Sequence, residues 1–181
     1  SHPQLHVHLA EGALDQVQTA LLAGETEISL VYDIDLDRQL ATEELTRVRP
    51  HVLVASNHHL ATHSTVTLSA LAAEPMILLD LPHSRDYFRS LFFNAGVEPV
   101  IRHRTQSFEL VRGLVGQGHG YSVLNLQPRS NRTYDGGRVI YIPIEDPTTE
   151  LAIVIARPRG IQLTHRAEAF SAVCRRFFVD G

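Results

Sequence analysis

Between Met76 and Asn125 the order apolar strand, polar loop, helix occurs twice, first as MILLD, LPHS and RDYFRSLFFNAG, then as VIRHR, TQS and FELVRGLVGQGHG. Strands that alternate with helices return to a shared sheet by crossover connections, so the repeat constrains the chain to an α/β architecture. Each polar loop then lies between the carboxyl end of a strand and the amino end of a helix, where backbone amides meet ligands. No complete catalytic set accompanies the loops, and the pattern reads as a cleft for a small molecule.

The flanking sequence extends the pattern. QLHVHL alternates as a strand with Leu5, Val7 and Leu9 on one face. Leu14, Val17 and Leu21 have helical spacing, and Gly24 is placed to end that helix in the left-handed conformation. EISLVYD and, after a charged stretch from Arg38 to Arg49, HVLVAS read as strands; SNHHLATHS reads as a loop and Thr67 to Ala73 as a short helix before Pro75. Gly96 closes the helix of Tyr87, Phe88, Leu91, Phe92 and Ala95, and Gly118 closes that of Phe108, Val111 and Val115, with strands predicted at Val97 to Arg104 and Tyr121 to Leu124. A polar run from Gln127 to Gly137 precedes the strands RVIYIPI and ELAIVIA and a last helix from about Leu163 to Phe178. The alternation predicts mostly parallel sheets.

Composition narrows the functions available. A chain of 181 residues with 44% hydrophobic residues buries a real core in one domain or two small lobes. A net charge of -4 gives no general basic field for nucleic acid. All basic residues are arginine, which excludes Schiff-base and P-loop lysines and leaves a planar fork suited to carboxylates. The single Cys174 lies on the apolar stripe of the last helix as a core thiol, and no signal-like or membrane-length run occurs, so a reducing cytoplasm is the expected home and no membrane association is expected.

Several motifs favour a structural role over chemistry. Eleven histidines include His59 and His63 at i, i+4 spacing and His6 and His8 on one strand face, but there is no HExxH and no cysteine partner, so no metal and no cofactor is expected. GQGHG at 116 to 120 leads from helix to strand, the reverse of a dinucleotide loop. Ser84, His83 and Asp80 lie close together without a GxSxG elbow or an evident third group.

The order of landmarks resembles the effector-binding domain of LysR-type transcriptional regulators. The resemblance is carried by HPQLHVHLAEGALDQVQTALLAGETEISLV, SNHHLA, VTLSALAAEPMILL, ELVRGLVGQGHGYSVLN and the C-terminal helix after IARPRG, in the family's order. It implies two Rossmann-like α/β lobes of the type II periplasmic-binding-protein fold, with the effector held between them. Crossings near Val54 to Ser56 and Ile155 to Arg157 place residues 1–54 plus 156–181 in lobe I and 55–155 in lobe II. The family's winged helix-turn-helix, and the first strand and helix of lobe I, are expected outside this chain. DNA would be contacted only through that absent domain, and the intact protein would be a homodimer or tetramer.

Within this frame the candidate effector contacts are Tyr32, Asp80, His83, Ser84, Arg85, Thr105, Gln106, Ser107 and Asn125. Ser84 or Asp80 is expected to cap the helix that carries RDYF and leave first-turn amides free, with Arg85 as a bidentate partner for a carboxylate. The plainer reading makes Ser84 only a cap and leaves Arg85 and Asp86 as solvated charges. Thr105, Gln106 and Ser107 open the next helix, with Glu109 reaching back as in a capping box. His83 would donate to an anion or stand as an ordinary turn histidine, and Tyr32 and Asp33 end a strand of the other lobe. The expected function is sensing of a small anionic or polar molecule without catalysis. The alternatives are a transport-type solute receptor of the same fold and an enzyme on a two-lobed scaffold.

Overall fold

The computed structural model describes residues 7–180, with side chains through Phe178. Its elements are α1 (Leu14–Leu22), β1 (Ser29–Tyr32), β2 (Leu40–Val48), β3 (His51–Ala55), β4 (Pro75–Leu79), α2 (Ser84–Asn94), β5 (Val100–Thr105), α3 (Phe108–Gly116), β6 (Ser122–Leu124), β7 (Val139–Pro143), β8 (Leu151–Pro158) and α4 (His165–Asp180). Single 3-10 turns occupy His59–Thr62 and Leu68–Leu71. The backbone forms two units, residues 1–47 with 151–181, and residues 48–150.

In the first unit, β8 lies between β1 and β2. Its residues Leu151 to Ala156 are all buried, because strands on both sides and packing on its faces leave it no water. β1 pairs antiparallel to β8, with Ser29 opposite Ala156 and Tyr32 opposite Ile153. Gly24 has φ 75° just after α1, the left-handed helix stop that its sequence position predicts. β2 is a correction: the charged stretch forms a nine-residue strand whose Glu43 and Glu44 are exposed. Glu43 takes the Arg175 guanidinium of α4 at 2.5 and 2.9 Å. Val7 and Leu9, predicted on a strand face, form no strand and are 53% and 79% exposed; Leu5 lies outside the described residues.

In the second unit the repeated strand–loop–helix segment builds the parallel part of the sheet. β4 pairs parallel to β5 from Pro75–Val100 to Leu79–Thr105. On its other side a parallel bridge joins Met76 to Tyr121 at the entry to β6, with the Ile77 amide donating to the Tyr121 carbonyl at 2.8 Å. β3 then pairs antiparallel to both β6 and β7. The expectation of mostly parallel sheets is therefore corrected. β5 and β6 follow β4 through the crossover helices α2 and α3 and run parallel with it, whereas β3 runs against both of its neighbours. The core comprises β3, β4 and β6 with Phe88, Leu91 and Phe92 of α2 and Val111 and Val115 of α3.

Two glycines fix the turn from α3 into β6 in different ways. Gly118 has φ 81° and open space where a side chain would stand, so only its backbone conformation favours glycine. Gly120 has φ 150°, and a Cβ there would lie 2.1 Å from the Pro75 carbonyl oxygen, which accepts the Tyr121 amide at 3.0 Å. Gly120→Ala is expected to destabilise the chain by about 3 kcal/mol through combined overpacking and strain, and Gly118→Ala by about 1 kcal/mol. Urea unfolding of the two variants measures the difference; equal losses would contradict the close approach of β6 to β4.

Candidate functional site

Because β4, β5 and β6 are parallel, their carboxyl ends reach one edge of the second unit, and Asp80, Gln106 and Asn125 directly follow them. Open α/β sheets bind ligands at such an edge. The helices that start there differ sharply in how their first turns are occupied.

At α2 the expected cap is replaced. The N-cap is His83, with φ 63° and ψ -49° and no side-chain cap bond, and Ser84 is the first helical residue. The Ser84 amide donates to the Pro82 carbonyl at 2.7 Å, so His83 sits at the centre of a γ-turn with positive φ, a rare and strained form. The Arg85 amide donates to Leu81 at 2.9 Å. Two of the amides expected to be free are thus used by the loop itself. Among the described residues Asp80 caps no amide; its carboxylate lies 3.4 Å from Arg85 Nη1 and 3.5 Å from Arg104 Nη1. Arg85 also holds Asp86 at 3.2 Å, so its fork already carries two carboxylates.

At α3 the Ser107 hydroxyl accepts the Leu110 amide at 3.3 Å, as an N-cap should. Thr105 Oγ1 accepts the Ser107 amide at 3.1 Å and so sets the loop. Glu109 does not reach back to a capping box; it turns to Arg112 Nη1 at 2.5 Å. The amides of Phe108 and Glu109, which a helix leaves unpaired at its start, donate to no carbonyl among the described residues. This first turn, with exposed Gln106 and Ser107 beside it, is the open donor set of the edge.

Asn125 is 7% exposed and its Nδ2 lies 3.3 Å from Tyr87 Oη, which donates to the Thr149 carbonyl at 2.8 Å. By spacing alone Tyr87 belongs to the apolar stripe of α2. The signal it carried was its hydroxyl, since a half-buried tyrosine needs a partner; burial raises its pKa against the Asn125 bond. The structure thus brings Asp80, His83, Ser84, Arg85, Thr105, Gln106, Ser107 and Asn125 onto one unit, while Tyr32, at the end of β1, belongs to the other.

Arg112 is a second residue that periodicity hides. It is 3% exposed on the buried stripe of α3 and bonds Glu109, Tyr141 Oη at 3.2 Å, and the Ser130 and Arg132 carbonyls at 2.7 and 3.1 Å. Desolvation opposes its charge, yet Glu109 and Tyr141 outweigh it and its pKa is raised. Tyr141 also meets the ring of buried His51 edge-on, with centroids 4.9 Å apart.

The histidines gather differently from their sequence spacing. His59 meets His58 and Glu74 rather than His63, with Nε2 to carboxylate distances of 3.8 Å for His58 and 3.5 Å for His59. These three could hold a cation by proximity alone. However, His58 Nδ1 accepts the Leu60 amide at 3.2 Å, so a neutral His58 ring carries its proton on Nε2, toward Glu74. The ring proton thus faces the carboxylate at a distance longer than a hydrogen bond. His6 of the His6 and His8 pair lies outside the described residues.

The model of the LysR substrate binding domain family matches residues 1–179. The chain belongs to that family. The crystal structure of the PA01 protein, a putative LysR family transcriptional regulator from Pseudomonas aeruginosa, is similar with a TM-score of 0.90 and 37% identity, over 97% of this chain and 62% of that one. The hydrogen peroxide-inducible genes activator of Pectobacterium carotovorum subsp. carotovorum is 25% identical over 96% of this chain and 57% of its own length. The effector-binding domain of QuiR, solved with shikimate, shares the fold at a TM-score of 0.77 and 20% identity, over 93% of this chain and 79% of that one. The chain is therefore the effector-binding domain of a LysR-type regulator, in the type II periplasmic-binding-protein-like fold, and it spans about half the length of the curated relatives it matches. Among the described residues no helix is long and apolar enough to cross a membrane.

Burial of His51 beside the site gives a pH dependence. Its pKa is lowered from 6.5 to about 4, by desolvation first, against a backbone hydrogen bond with Arg49 that raises it. The unfolded chain protonates this ring below pH 6.5, while the folded one resists until about pH 4. The stabilising contribution is therefore complete above pH 6.5 and lost as pH falls toward 4, by about 3 kcal/mol in all. Urea unfolding of wild type and His51→Phe between pH 7 and 4 measures it as a shallower fall in the variant; parallel curves would refute a neutral buried ring.

Proposed function

We propose that the domain senses a small anionic or strongly polar effector at the carboxyl-end edge of residues 48–150. The observation that carries this is the first turn of α3: Ser107 caps only Leu110, and the amides of Phe108 and Glu109 remain for an anion. Thr105, Gln106 and Ser107 form this cradle, Asn125 adds a buried carboxamide, and Asp80, His83, Ser84 and Arg85 border it. Arg85 reaches an effector carboxylate by exchanging an aspartate.

The relatives support a regulatory role for the whole protein, in which an N-terminal helix-turn-helix contacts DNA, the regulator works as a homodimer or tetramer in the cytoplasm, and the two units act as its lobes. The effector shifts DNA affinity only as far as it binds one conformation better than another. Cys174, the sole thiol of the chain, favours a ligand over direct peroxide sensing, since it is 6% exposed and burial pushes its pKa up. A solute receptor of the same fold is distinguished by its export.

The test separates capping from recognition. Ser107→Asp keeps a good N-cap and places a negative charge where the anion would sit. Stability is expected to stay within about 0.5 kcal/mol of wild type, while carboxylates that raise the melting temperature of wild type lose tenfold or more in affinity. Carboxylate binding unaffected by this substitution would place the anion elsewhere.

A further inference from the structure

Tyr87 and Asn125 form a hydrogen-bond chain whose direction is fixed at one end. The Tyr87 hydroxyl has one proton, and it goes to the Thr149 carbonyl. Only a lone pair is left for Asn125, so the carboxamide must present Nδ2, as observed at 3.3 Å. Oδ1 is thereby turned away from Tyr87. It is buried and has no hydrogen-bond partner among the described residues.

The other end of the chain is the exit of the polypeptide from its unit. Thr149 precedes Glu150, whose carboxylate holds Arg49 at 2.5 Å, and the chain passes between units after Arg47 and again after Glu150. Both connecting segments are thus tied together beside the carbonyl that Tyr87 grips.

We propose that Asn125 Oδ1 accepts a hydrogen bond from a hydroxyl group of the effector, which makes that effector a hydroxycarboxylate, and that Tyr87 hands this bond on to Thr149. The inference rests on the reading of this edge as the anion site and adds a second requirement to it. A donor at Oδ1 polarises the carboxamide and strengthens Nδ2–H toward Tyr87, which in turn strengthens its own bond to Thr149. Because Oδ1 is buried, a group that displaces the packing over it meets no competition from bulk water. A deoxy analogue leaves the acceptor unpaired, and sites of this kind discriminate strongly against ligands lacking the donor.

Calorimetric titration with lactate and propionate, malate and succinate, and 4-hydroxybenzoate and benzoate tests the inference on wild type, Asn125→Ala and Tyr87→Phe. The expected result is at least one pair whose hydroxylated member binds wild type tenfold or more tightly, a preference that falls within twofold in Asn125→Ala. In Tyr87→Phe the preference shrinks and amide exchange across residues 149–151 speeds severalfold, which a purely local role for Asn125 does not cause. Equal binding within every pair that binds, or a preference that survives Asn125→Ala, overturns the inference and leaves the anion site standing. If no member of any pair binds wild type, both the inference and the anion site fall.

Discussion

The pairing of β4 on both of its edges governs the second unit. Met76 to Leu79 are buried, with β5 along one edge, across one register irregularity between Met76 and Ile77, and the entry to β6 along the other. The neighbour on the β6 side is held especially close. Gly120 allows the Tyr121 amide to reach the Pro75 carbonyl, and one step on the Ser122 hydroxyl donates to the Ile77 carbonyl at 2.7 Å inside the core. A fixed register in three parallel strands means fixed strand ends. Asp80, Gln106 and Asn125 therefore share an edge as a consequence of packing several residues away.

Helix α3 is held to that edge by a buried charge. Arg112 lies one turn beyond the open amides and binds Glu109 within its own helix while gripping two carbonyls of the irregular segment near 130. Removing one partner of such a group leaves the other desolvated, at a cost of roughly 3 to 5 kcal/mol, so the arrangement resists piecemeal loosening. It also occupies Glu109, which would otherwise bring a negative charge to the helix start as a capping-box residue. The proposed anion cradle stays electropositive partly because Arg112 draws that carboxylate away.

Which parts of this were legible in the sequence follows from what periodicity encodes. Apolar spacing located α1 to α4 and all the strands of the repeated segment, and glycines at 24, 96 and 118 marked helix ends that have positive φ. β2 was missed because an edge strand with Glu43, Glu44 and Arg47 facing water lacks apolar alternation, and its support comes from β8 and Arg175, far away in sequence. Strand direction is not encoded in apolar spacing, and β3 runs against both of its neighbours. At the site, residue identity outlined the edge but not the division of labour. A γ-turn at His83, the double engagement of Arg85 and the partner of the Tyr87 hydroxyl are all tertiary facts. Residues Arg112 and Tyr87 sat inside apolar stripes, where a polar atom is easily passed over.

The charge balance at the edge bears on how an anion is recognised. Arg85 and Arg104 face Asp80, and Arg85 also faces Asp86, so the side chains there sum to no net charge. Side chains alone give an incoming carboxylate little long-range attraction. Exposed pairs of this sort are screened by water, and exchanging Asp86 for an effector carboxylate at Arg85 trades one screened ion pair for another. The unpaired amides of α3 are different, because no protein acceptor must be displaced and the helix dipole adds to them. In the proposed site, affinity then comes mainly from fixed backbone donors, and Arg85 contributes geometry through its planar fork. Such a site discriminates by the shape and hydrogen-bonding pattern of the ligand more than by its charge.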